Sequence, residues 1–167
     1  LLAPAKAQPK YEVRAAWVTA VYGLDWPRTK ATTPTAIRRQ QEELTDILDK
    51  LKAANFNTIL FQTRTRGDVL YHSSIEPYNS ILTGKVDGDP GYDPLAFAVR
   101  ECHKRGMECH AWMVAIPLGN KKHVASLGNK SVTKQRKEIC IPYKNEYFLN
   151  PGHPSTKEYL MKLVREV

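Results

Sequence analysis

Two arginines and an aspartate crowd the stretch Arg64-Thr65-Arg66-Gly67-Asp68, and Tyr71 and His72 follow closely. Guanidinium groups present forked donors that suit carboxylates, phosphates and vicinal sugar hydroxyls. Asp68 would orient one of them or accept from a sugar hydroxyl. A structural ion network tying a loop to its framework explains the same residues, and their spacing leaves both readings open. Asp25-Trp26 and Trp112 add aromatic faces beside polar groups, the pairing that holds a sugar ring by its CH face and its hydroxyls. Trp17 reads as an ordinary core aromatic. Trp112 reads as core or platform. His110, on a strand face shared with Glu108, reads as a satisfied core histidine or as a site residue. Glycosidic cleavage needs two facing carboxylates roughly 5 to 9 Å apart. Glu76, Asp87, Asp89 and Asp93 are available, but spacing singles out no pair. Asp93 is better placed as a helix cap and Asp87-Gly88 as a turn. No histidine, cysteine or carboxylate spacing suits a metal, and Gly84-Lys85 lacks the remainder of a phosphate loop. No metal or cofactor is expected.

The elements that must position these residues recur three times as strand, polar loop and amphipathic helix. Apolar strands are expected near Val13–Thr19, Thr58–Gln62 and Met107–Met113, and helices near Pro34–Ala54, Pro94–Arg105 and Ser155–Val167. Such alternation builds a parallel sheet whose site lies in the loops leaving the strands' carboxyl ends. The first strand is a continuous apolar run, which fits burial on both faces. In the second, strict alternation puts Thr58, Leu60, Gln62 and Arg64 on one face. Thr33 precedes Pro34 at the first helix, Asp93 caps the second, and Ser155 with Glu158 makes a capping box for the third. Asn55 and Gly106 stand where left-handed caps end helices. Two long loops, after the second and third strands, carry the turn residues. Within the later one, Ile139-Cys140-Ile141 and Tyr147-Phe148-Leu149 fit a short hairpin.

Hydrophobic residues make up 42% of the 167 and charged residues 25%, enough apolar side chains for one cored domain. A closed barrel of eight strand–helix units needs roughly 250 residues, so three units read either as the front portion of one or as a small three-layer domain, with the first favoured. Three strands leave two open sheet edges, through which association is expected. The net charge is +8, but Lys and Arg are spread along the chain; the denser Lys121–Lys144 stretch lacks aromatic interleaving over most of its length. That argues for a solvated loop and against a nucleic-acid partner. Cys102, Cys109 and Cys140 form no CxxC and are odd in number, which argues against a disulfide framework. No stretch reaches the roughly 20 apolar residues of a membrane span. Residues 1–10 read as a leader or signal-peptide remnant, with Ala5-Lys6-Ala7 as a small-x-small cleavage site, and residues 11–167 as the domain.

Several stretches taken together resemble one family. They are Arg14-Ala15-Ala16-Trp17-Val18-Thr19 with Leu24-Asp25-Trp26-Pro27, Phe56-Asn57-Thr58-Ile59 with Phe61-Gln62 and Arg64-Thr65-Arg66-Gly67-Asp68, Ile75-Glu76-Pro77-Tyr78 with Leu82-Thr83-Gly84, Asp89-Pro90-Gly91-Tyr92-Asp93-Pro94-Leu95, and His110-Ala111-Trp112. Their order resembles the glycoside-hydrolase-like family ten of bacteria. The resemblance implies a partial (β/α)8 TIM-type barrel, with the chain as its first three βα units. It implies export to the periplasm, cell surface or medium, and a glycoside hydrolase acting on a polysaccharide or cell-wall glycan. The catalytic acids are expected beyond Val167, so this portion alone is expected to be inactive. Asp25, Trp26, Arg64, Arg66, Asp68, Tyr71, His110 and Trp112 are then the expected carbohydrate-binding residues. Where the family has an Asn-Pro-Tyr-Arg-like run after the third strand, Val114-Ala115-Ile116-Pro117 stands here. A non-catalytic glycan-binding barrel is the alternative, and a basic module binding an anionic polymer is a third reading.

Overall fold

The computed structural model describes residues 12–167, and the leader read at residues 1–10 lies outside the described residues. Three parallel strands, β1 (Ala15–Val18), β2 (Thr58–Arg64) and β3 (Glu108–Met113), pair in the order β1-β2-β3. Helix α1 (Pro34–Ala53) joins the first two and α2 (Pro94–Lys104) the next two. The caps follow from side-chain chemistry. Thr33 accepts from the Ala36 N–H and Asp93 from that of Ala96, each just ahead of a proline that needs no partner. Asn55 and Gly106 close the two helices in left-handed conformation.

Helices cover one face of the sheet. There Val18, Ile59 and Phe61 pack with Leu44 and Leu48 of α1 and Ala98 and Cys102 of α2. The opposite face carries Trp17, Leu60 and His110 in one row and Trp112 beyond them. No helix of the described residues lies over it, so Trp17 is 60% exposed and β1 is not buried on both faces as its apolar run implied. In a (β/α) barrel this is the face turned inward; on it the Trp17 ring meets that of Trp112 edge to face, centroids 4.6 Å apart.

The two long loops differ in kind. Residues 65–93 form no helix or strand beyond two isolated bridges, yet Val69, Leu70, Tyr71 and Leu82 are buried. After β3 the chain builds a small unit of its own: β4 (Pro117–Asn120), α3 (Lys121–Ser126), α4 (Val132–Gln135), and a hairpin of β5 (Cys140–Tyr143) and β6 (Glu146–Leu149). Its antiparallel sheet runs β4-β6-β5. Leu118, Val124, Val132, Ile139 and Leu149 form a second core, closed by Tyr159 and Leu163 of α5 (Pro154–Glu166). The expected Ser155–Glu158 capping box does not form. His153 is the N-cap, and its Nδ1 accepts from the Ser155 N–H at 3.2 Å.

Candidate functional site

The carboxyl ends of β1 and β2 are locked together by one amide. Gln62, buried at the end of β2, accepts at Oε1 from the Thr19 hydroxyl and from the N–H groups of Ala20 and Val21, at 2.8 to 2.9 Å. This fixes the loop after β1 and sets Tyr22 at its crest. Tyr22 has a left-handed backbone, φ 57°, and is 76% exposed. A non-glycine residue in that conformation costs of the order of 1–2 kcal/mol, and it lifts the phenol ring off the surface. Nothing in the spacing of Tyr22 marked it for this place; a left-handed tyrosine beside Gly23 is legible only in the folded backbone.

Arg64 and Arg66 have opposite fates. The pairing of β2 with β3 slips between Gln62 and Arg64, so the extra residue Thr63 breaks the alternation that placed Gln62 and Arg64 on one face. Arg64 is fully buried. Its Nε and Nη2 bind both oxygens of Glu76 at 2.8 and 2.7 Å, and its Nη1 donates to the carbonyls of Val114 and Ala115. Burial works against its charge, but Glu76 outweighs burial and holds the guanidinium pKa above the ordinary arginine value. The Tyr159 hydroxyl adds a bond to Glu76 at 2.6 Å. Arg64 is thus the pin between β2, its loop, β3 and α5, with no surface to offer a substrate.

Arg66 faces outward. Its Nη1 donates to the Tyr22 hydroxyl at 2.9 Å, and its guanidinium lies 5.2 Å from the centre of the Tyr22 ring. Behind it, buried Asp68 accepts from the Thr65 hydroxyl and from the Arg66 N–H, closing the tight turn that Gly67 makes at φ 78°. His123 Nε2 lies 3.0 Å from the Arg66 carbonyl and 3.5 Å from Asp68. A carbonyl only accepts, so that nitrogen carries hydrogen. Gly119 makes this close packing feasible: at φ +89°, a Cβ there would stand 2.8 Å from the His123 ring and 3.3 Å from Arg66.

These residues wall a groove of about 400 Å3 above the carboxyl ends of β1 and β2, lined by Tyr22, Lys30, Thr65, Arg66, Asn79 and His123 among others. Of the eight residues expected to contact sugar, Arg66 alone lines it. Asp68 supports it from behind. Trp26 has no exposed surface: its Nε1 donates to the Gln40 carbonyl and its ring packs on Phe61, so it is a core residue out of reach of any ligand. Tyr71 is buried as well, and burial, then Glu166, pushes its hydroxyl pKa up. Asp25 accepts from the Thr19 N–H and borders a hollow at the β1 edge with Trp17 and Arg28. His110 pairs with Glu108 at 2.9 Å on the uncovered sheet face that Trp112 shares. A larger hollow of about 650 Å3 lies between α2 and the end of α5, in the helical layer. Among the described residues no cluster of three or more histidines, cysteines or carboxylates could hold a metal, and no helix is long and apolar enough to cross a membrane.

Parallel strands with helices on one face and a groove over the strand ends define a βα-barrel-type protein. The structural comparison agrees. A noncanonic maltogenic α-amylase, AmyB, from Thermotoga neapolitana superposes on 90% of the chain and 34% of its own length, with a TM-score of 0.54 at 15% identity. The fold is thus a partial TIM-type barrel of three βα units. The chain belongs to the glycosyl hydrolase-like 10 family, whose model matches residues 12–167. It is similar to glycosyl hydrolase YngK of Bacillus subtilis, 32% identical over 98% of this chain and 32% of that protein. It is equally similar to glycosyl hydrolase DigH of Escherichia coli K12, 32% identical over 96% of this chain and 39% of that protein. The chain spans about a third of the length of these curated relatives.

Proposed function

We propose that this chain forms part of the sugar-binding rim of a glycoside hydrolase acting on a polysaccharide or cell-wall glycan, working outside the cytoplasm. The observation that carries the proposal is the groove over the ends of β1 and β2, with exposed Tyr22 as its aromatic wall and Arg66 beside it. A sugar ring needs that pairing: an apolar face for its CH groups and forked donors for its hydroxyls. Family membership supports the reading.

Cleavage requires a carboxylic acid and a carboxylate set across the bond. Asp68 and Glu76 are buried and already bonded, so in this proposal the acids come from residues outside the chain. The same observation favours a second reading, a non-catalytic glycan-binding barrel. Incubating the intact protein with a panel of bacterial and plant glycans separates the two. Release of reducing ends that falls at least tenfold in Tyr22→Ala supports the hydrolase. Binding without cleavage on every glycan supports the second reading, and neither binding nor cleavage refutes both.

A further inference from the structure

The groove walls carry more charge than sugar hydroxyls need. Lys30, Arg66 and His123 all line it, and none of the described residues lining it is acidic. Asp68, which accepts from the Arg66 N–H, is buried behind the turn and bonded to Thr65. Lys30 and Arg66 are each held by one side-chain tether and keep other donors unspent, whereas His123 Nε2 is shared between the Arg66 carbonyl and the buried carboxylate of Asp68. Lys30 Nζ donates to the Ile81 carbonyl at 2.7 Å, Arg66 Nη1 to Tyr22, and His123 Nε2 lies against the Arg66 carbonyl. The contrast with Arg64 is direct, since that guanidinium uses Nε, Nη1 and Nη2 on the protein. The tethers also fix direction. Tyr22 holds the Arg66 guanidinium beside its ring, and Gly119, where a Cβ would collide with His123 and crowd Arg66, lets His123 and Arg66 share one wall. A cation anchored by one bond and open at its remaining donors is prepared for an anionic acceptor.

We infer that the groove between Tyr22, Lys30, Arg66 and His123 is an anion subsite that selects a sugar bearing a negatively charged substituent. This rests on the glycan reading above and narrows it from glycans in general to acidic glycans. The shared chemistry is an anionic oxygen group on the ring, either carboxylate or sulfate.

Titration calorimetry on the intact protein tests it with three probes of equal length: an oligogalacturonate, its fully methyl-esterified neutral form, and a sulfated oligosaccharide. A charge-assisted hydrogen bond is strong enough for about a tenfold or greater preference. The expected result is that one or both anionic probes bind at least about tenfold more tightly than the ester; which of them does so identifies the substituent. Arg66→Gln is expected to bring that probe down to the level of the ester. Lys30→Gln, measured alongside in case Arg66→Gln fails to fold, is expected to narrow the gap at least threefold. Lys162→Gln, an exposed charge on α5 away from the groove, is expected to leave it unchanged. Equal binding of acid and ester would overturn the anion subsite while leaving the glycan reading intact. A preference that survives both groove variants, or that falls equally with Lys162→Gln, would overturn it too, because net charge would then explain the effect. Binding of none of the probes would overturn the subsite, whereas the glycan reading is decided separately by the hydrolysis panel.

Discussion

Glu76→Gln is isosteric and removes a single charge, yet it should be among the most damaging substitutions in the chain. Arg64 and Glu76 expose essentially no side-chain surface and are joined by two bonds of 2.7 and 2.8 Å. Breaking such a pair leaves an uncompensated buried guanidinium, at a cost of about 3–5 kcal/mol. A domain has only about 5–15 kcal/mol in total. With a urea dependence near 2 kcal/mol per molar, the midpoint should fall by roughly 1.5–2.5 M. Tyr159→Phe removes the 2.6 Å bond to the same carboxylate but leaves the ion pair, so its loss should be about 1–2 kcal/mol. The double substitution Arg64→Met with Glu76→Leu discards both charges together. What remains is the cost of two carbonyls, at Val114 and Ala115, that lose a donor in a partly exposed stretch where water can replace it, and of the buried Tyr159 hydroxyl, which loses its acceptor. The double variant should therefore be more stable than Glu76→Gln alone, which the sum of two independent losses could never give. Equilibrium urea unfolding at pH 7 measures all three. A loss under about 1 kcal/mol for Glu76→Gln, or losses that simply add, would refute the reasoning.

Other consequences are equally open to measurement. Gly119→Ala should cost about 1–3 kcal/mol, because its φ is +89° and the new Cβ would collide with His123; a neutral result in thermal unfolding would refute the packing described. Burial, then Asp93, pushes the Tyr78 hydroxyl up to about 12, and burial likewise raises those of Tyr71, Tyr92 and Tyr159. The unfolded chain releases these protons near 10. Above that pH the unfolded state therefore binds fewer protons, and stability should fall as pH rises toward 12. Absorbance at alkaline pH should show at least four of the eight tyrosines still protonated at pH 11 while the fold holds, and uniform ionisation near 10 would count against it. Burial pushes the Cys140 thiol up to about 11, so its alkylation should be slow at pH 8 and accelerate about tenfold per pH unit toward 11; a fast, pH-independent reaction would show the thiol open to solvent.

What the sequence revealed, and what it hid, divides along physical lines. Strand–helix alternation, the Thr33 and Asp93 caps and the β5–β6 hairpin are local signals, and each is visible in a few neighbouring residues. The importance of Arg64-Thr65-Arg66-Gly67-Asp68 was also legible, but its division of labour was not. That depends on a bulge at Thr63 and on Glu76, twelve residues further on. Trp26 looked like a sugar platform because tryptophan suits both a core and a ligand; what decides is Gln40 on α1, whose carbonyl takes the indole N–H. Trp17 lies exposed among the described residues, since an apolar strand reads as buried whether or not these residues cover its second face. Tyr22, Lys30 and His123 went unmarked because Tyr22 and Lys30 lie in the β1–α1 connection and His123 on distant α3, with no shared spacing.

The central claim is that the rim above β1 and β2 is where a glycan sits. Hydrogen–deuterium exchange on the intact protein, with and without a saturating oligosaccharide substrate, tests it most directly. The account predicts slowed exchange concentrated in residues 20–25, 65–68 and 79–84, the backbone that builds the groove. Protection confined to the helical layer between α2 and α5, with the rim unchanged, would contradict it.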